Sequence, residues 1–130
     1  MSVVNPAAAA RYKNVQVATC SPAQLVVLLY DGALRFTREA MVAMEARDRA
    51  RAGERIGKAH AVLEELAATL DASQAPELCD NLGGLYAFCM QRLLVANLEQ
   101  RTAVLDEVVE VLQPLRDAFA QIARGAPAGP

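Results

Sequence analysis

Leu25-Val-Val-Leu-Leu-Tyr-Asp-Gly-Ala-Leu-Arg-Phe36 is the stretch that decides the fold. Leu25, Leu29, Gly32, Ala33 and Phe36 recur at steps of three and four, and Ala40 and Ala43 continue the series. That period marks one face of an α-helix. Val27, Tyr30, Leu34 and Met41 draw a second apolar line on another side of the same helix. The stretch Leu82 to Leu98 repeats the pattern. Leu82, Leu85, Tyr86, Cys89, Leu93 and Ala96 share one line, while Phe88, Leu94, Val95 and Leu98 point elsewhere. A helix that is apolar on several sides is either enclosed by its own protein or presents a surface that a partner covers. In so short a chain the second reading makes Val27, Tyr30, Leu34, Met41, Phe88, Leu94, Val95 and Leu98 candidate partner-binding residues.

Outward from these two segments, the remaining helices follow by period and punctuation. Ser21-Pro-Ala-Gln24 supplies a Ser cap, Pro at the first helical position and Gln at the third, the arrangement of a capping box. The first helix then runs to about Glu45, where Ala46-Arg-Asp48 turns the chain. Gly32 lies inside it on the core line, a position expected where a neighbouring helix comes close. Ile56, Ala59, Leu63, Leu66 and Leu70 give a second, singly amphipathic helix. Asp71 to Pro76 is the next break, and the third helix runs from there to about Gln100. Thr102 is the expected cap of a fourth, with its stripe at Leu105, Val108, Leu112, Leu115, Phe119 and Ile122 and a kink expected from Pro114. Four helices joined by short turns predict an all-α, antiparallel up-down four-helix bundle. Residues 1–20 are read as a short N-terminal arm or helix acting as a lid, residues 21–124 as the bundle, and 125–130 as a disordered tail.

Composition narrows the function. A chain of 130 residues is one domain. Its 54% hydrophobic fraction with only 5% aromatics and no Trp suits small residues at helix crossings. The net charge of -2, with 13 basic and 15 acidic residues well mixed, argues against nucleic-acid binding. Met1 to Ala10 shows no charged region ahead of an apolar stretch of signal length. The aliphatic run near Leu25 to Tyr30 falls far below the ~20 residues that span a bilayer. A cytoplasmic protein without membrane insertion is therefore expected. Three cysteines, Cys20, Cys79 and Cys89, form no CxxC pair and no disulfide framework.

No reaction is expected. A di-metal bundle needs a Glu-x-x-His on each of two helices, but the one histidine is His60, preceded at three residues by Gly57. Neither a metal site nor a Cys–His nucleophile pair has companion residues. Gly83-Gly84 lacks the Lys and Ser/Thr of a phosphate loop. No cofactor, metal or catalytic residue is assigned.

Tyr12 in the arm, Thr19-Cys-Ser-Pro-Ala-Gln-Leu25, Leu29-Tyr-Asp-Gly-Ala33, Asn81-Leu82, Leu85-Tyr86, Met90 and Arg92-Leu-Leu-Val-Ala-Asn97 together resemble the FliS family of flagellar export chaperones. The resemblance runs from about Tyr12 to Phe119. It implies an antiparallel helical bundle with an N-terminal arm, which matches the reading from periodicity. It also implies a bacterial cytoplasmic protein that binds the C-terminal region of newly made flagellin, a region disordered in the monomer and helical in the filament. Such a chaperone prevents premature polymerisation and aids delivery to the flagellar type III export apparatus. Tyr12, in an arm that contacts the export gate, joins the candidate partner-binding set. The free protein is expected to be a monomer or weak dimer. The alternative is a structural helical-bundle homodimer without a client. Three departures from the family pattern stand out: Ala72-Ser-Gln-Ala-Pro76 before the third helix, Phe119 in place of a Trp, and Pro114.

Overall fold

A computed structural model describes residues 22–125. Four helices follow in order: α1 (Pro22–Glu45), α2 (Arg49–Ala68), α3 (Pro76–Glu99) and α4 (Thr102–Ala123). α1 packs against α2 and α4, and α3 packs against the same two, so α1 and α3 face each other across the bundle. The expected arm at residues 1–20, the cap at Ser21 and the tail at 126–130 lie outside the described residues.

The turns explain why the helices stop where they do. At the end of α1, Arg47 adopts φ 59°. The N–H of Asp48 bonds the carbonyl of Ala43 at 2.8 Å, and that of Arg47 bonds Met44 at 3.0 Å. This is a Schellman closure built on a non-glycine left-handed residue. Asp48 then caps α2, its side chain accepting from the N–H of Arg51 at 3.1 Å. One residue thus closes one helix and opens the next, which makes a three-residue corner sufficient. At the other end, Gln100 at φ 54° ends α3, with its N–H on the Ala96 carbonyl at 2.7 Å. Thr102 is the first residue of α4 rather than its cap. The extended Arg101 holds the cap position without a side-chain bond.

The core is the meeting of four apolar lines. α2 contributes Ala52, Ile56, Ala59, Leu63 and Leu66, and α3 contributes Cys79, Leu82, Tyr86, Cys89, Leu93 and Ala96. α4 contributes Val104, Leu105, Val108, Leu112, Phe119 and Ala120. Ile122, expected on that stripe, is exposed. α1 is enclosed more fully than its core line alone required. Tyr30 at 0% and Leu34 at 2% exposure are buried, which corrects their placement on a face away from the core. Because α1 is flanked by α2 and by α4, it needs two apolar sides. Leu29 and Phe36 take one, and Tyr30 and Leu34 take the other. Thr37 is tolerated in this interior because its hydroxyl donates to the Ala33 carbonyl one turn back, at 2.8 Å.

Gly32 is also corrected. A Cβ built there meets nothing within 4 Å, so no helix approaches closely. α4 continues through Pro114 as one helix. Pro114 and Glu110 are both exposed, so the interruption in backbone bonding lies on the solvent side of the helix, where the cost of the missing donor is reduced. Ion pairs tie neighbouring helices at the surface: Arg116–Asp31 at 2.8 Å, Arg92–Glu107 at 2.9 Å and Arg55–Glu39 at 3.3 Å. Exposed pairs of this kind stabilise by roughly 1 kcal/mol or less.

Two outcomes are expected from this local structure. Gly32→Ala raises stability by up to about 1 kcal/mol, since helix propensity improves and no neighbour is struck. Asp48→Ala lowers it by about 1 kcal/mol through loss of the α2 cap. Urea midpoints with an unchanged m-value check both.

Candidate protein-binding surface

α3 differs from the other helices in what it leaves outside. Its buried line is complete, yet Leu78, Leu85, Phe88, Leu94 and Leu98 remain exposed on the same helix. Leu94 and Leu98 are four residues apart, Val95 and Leu98 three, and Phe88 and Val95 seven. The helical repeat therefore gathers the four on the outward side of the C-terminal half. Leu78, Leu85 and Arg92 follow at steps of seven along the edge that borders α4, where Arg92 reaches Glu107. On the outward side, the strip from Phe88 to Leu98 is about 15 Å long at the helical rise. Leu98 is 77%, Leu94 56% and Phe88 40% exposed, values that no internal packing accounts for. Val95 is half-buried against the core.

The residues named from sequence therefore divide. Phe88, Leu94, Val95 and Leu98 come together on α3. Tyr30 and Leu34 are interior side chains of α1. Val27 and Met41 are half-buried against the core, and Val27 also borders a shallow cavity with Leu28, Arg116 and Ala120. Tyr12 lies outside the described residues. Sequence reading missed Leu78, and it assigned the exposed Leu85 to the core line. The available signal was the three-residue step from Leu85 to Phe88.

Beneath the strip, α3 is anchored by an aromatic cluster. The Tyr30 and Tyr86 hydroxyls bond each other, although both residues are buried. Their ring centroids are 6.1 Å apart, and Phe119 stacks on Tyr30 at 5.5 Å. Burial and the neighbouring Tyr86 push Tyr30 ionisation well above the ordinary tyrosine range. Tyr86 is pushed up to about 12, burial again being the largest cause. Cys89 lies on the same buried line, and burial raises its thiol to about 12 from an ordinary 9.0. Such a thiol is inert packing rather than a nucleophile. His60 bonds Glu64 one turn away at 3.2 Å. Among the described residues no three His, Cys, Asp or Glu side chains gather where a metal could sit.

Residues 4–126 match the family model described as flagellar protein FliS. The chain belongs to the FliS family. It is 36% identical to the flagellar secretion chaperone FliS of Bacillus subtilis, over 93% of this chain and 88% of that protein. It is 35% identical to the flagellar secretion chaperone FliS of Salmonella typhimurium, over 82% of this chain and 79% of that protein. A crystal structure of a bacterial flagellar chaperone superposes with a TM-score of 0.75 at 22% identity, covering 89% of this chain and 94% of that one. At that identity the superposition speaks for the fold alone, and the fold agrees. No helix among the described residues is long and apolar enough to cross a membrane.

The contrast between the two doubly apolar helices is open to direct measurement. Leu34→Glu places a charge in the core and should cost roughly 3 kcal/mol or more, while Phe88→Glu should stay within about 1 kcal/mol of wild type. Thermal melts of both variants check this. A pH dependence follows from Cys89 and Tyr86. Their folded values lie above their unfolded ones, so the stability from keeping them neutral is complete below about pH 9. It is lost as pH rises from 9 toward 12. Urea titrations across that range should show falling stability, and the Cys89 thiol should resist a disulfide reagent at pH 8 until the protein unfolds.

Proposed function

We propose that this FliS-family protein is a cytosolic export chaperone. It binds the C-terminal region of flagellin, prevents premature polymerisation and aids its delivery to the flagellar type III export apparatus. The observation that carries the reading is the apolar strip on α3, left exposed although α3 already has a full core line. A client segment that is disordered when free must be ordered on binding, at a cost of ~2–5 kcal/mol. Burial of an apolar strip on the C-terminal half of that helix can offset that cost. Phe88 is the central anchor, with Leu94, Val95 and Leu98 beside it and Leu85 toward α4. The half-buried Val27 and Met41 border the bundle from α1, and Tyr12 belongs to the N-terminal segment proposed to meet the export gate. Covering the strip keeps the client's own assembly surface occupied. The relatives named flagellar secretion chaperones support this reading.

Size-exclusion chromatography with light scattering provides the test, using the full chain alone and with the C-terminal segment of flagellin from the same organism. A one-to-one complex is expected, and Phe88→Glu should weaken it by about 2 kcal/mol or more, as at an interface hot spot. A tight dimer that ignores the flagellin segment would replace this reading with that of a structural homodimer joined through the same strip.

A further inference from the structure

A second feature, away from the α3 strip, lies along the exposed side of α1. A groove of about 520 Å³ has Leu34 and Val42 as apolar lining, and Arg35, Arg38, Arg51 and Arg116 around it, drawn from α1, α2 and α4. Two carboxylates share this lining, and both are engaged: Asp31 with Arg116 at 2.8 Å and Glu39 with Arg55 at 3.3 Å. Arg35, Arg38 and Arg51 form no ion pair among the described residues. Arg38 donates to the neutral Gln113 amide at 2.9 Å, and Arg35 lies 4.9 Å over the Phe36 ring. Three exposed guanidiniums thus gather at one groove without counter-charge.

The chain's own ends cannot supply that charge from side chains. Residues 1–21 and 126–130 contain no Asp or Glu. Residues 35–58 carry seven of the 13 Lys and Arg residues of the sequence against four carboxylates. Guanidinium groups pair with carboxylates through two parallel hydrogen bonds. The apolar lining and the overall charge of -2 disfavour a long polyanion, which needs an extended basic face. The exposed Val42 beside the arginines instead matches a peptide that carries both apolar side chains and carboxylates.

We propose that this groove receives an acidic, partly apolar segment of the bound client, with carboxylates on Arg35, Arg38 and Arg51 and an apolar side chain against Val42. The proposal rests on the client reading above and adds a second, charge-selected site to the apolar one on α3. Isothermal titration of the full chain with the C-terminal segment of flagellin from the same organism, at several salt concentrations, tests it. For wild type, affinity should fall as salt rises. The triple variant Arg35→Glu, Arg38→Glu, Arg51→Glu should melt like wild type and bind at least about tenfold more weakly at low salt, with a flattened salt slope. The corresponding triple Gln variant should show the same trend with a smaller loss. A flagellin segment with its Asp and Glu residues changed to Lys should regain affinity for the Glu variant and lose it for wild type. Wild-type affinity and salt slope in both triple variants would overturn the proposal while leaving the α3 site intact. Failure of wild type itself to bind flagellin would overturn the client reading and this site with it. Displacement of flagellin from the wild-type groove by duplex DNA or anionic vesicles, lost in the triple variants, would assign the arginines to those surfaces and overturn the peptide reading.

Discussion

The Tyr30–Tyr86 pair joins the two helices that face each other across the bundle. α1 and α3 share neighbours but have little other direct contact, so this bond and the stacking of Phe119 fix their separation. Two buried hydroxyls would each be costly alone, because neither could be hydrated. Paired, they satisfy each other, and the rings fill the space between α1, α3 and α4. With α3 held from beneath in this way, its outer residues are not required for the core. An exposed Phe88 on a firmly seated helix is a preorganised surface, which is what binding a disordered partner demands.

The same sequence pattern therefore has two physical outcomes. Both α1 and α3 are apolar on more than one side. α1 spends its second side on α4, with Leu34 buried and Asp31 paired to Arg116 at the rim. α3 keeps Leu94 and Leu98 outside. Periodicity reports only which residues share a side of a helix. It does not report how closely the neighbours of that helix pack: α2 and α4 flank both, yet they enclose α1 far more fully than α3, which separated Tyr30 and Leu34 from Phe88 and Leu98.

Much of the fold was legible because each helix announces its own ends and core line. The Pro22 start, the Pro76 start and the α2 and α4 stripes needed no tertiary information. What was hidden depended on geometry between elements. Gly32 is open, not crowded, because it borders a surface groove with Leu28, Arg35 and Val62 instead of a helix crossing. Asp48 serves two helices at once through the left-handed Arg47, a conformation that a non-glycine residue does not advertise. The groove at Arg35, Arg38 and Arg51 combines residues of two helices whose charges look evenly mixed along the chain. Its imbalance appears only once the carboxylates beside it are seen to be paired with other arginines.

The central claim is that α3 is the surface a client covers. Methyl NMR of the Leu and Val side chains, with and without the C-terminal segment of flagellin from the same organism, addresses it most directly. The account predicts shifts or broadening at Leu85, Leu94, Val95 and Leu98, while the interior Leu63 and Leu66 of α2 stay in place. A saturated complex that leaves the α3 methyls unperturbed would contradict it.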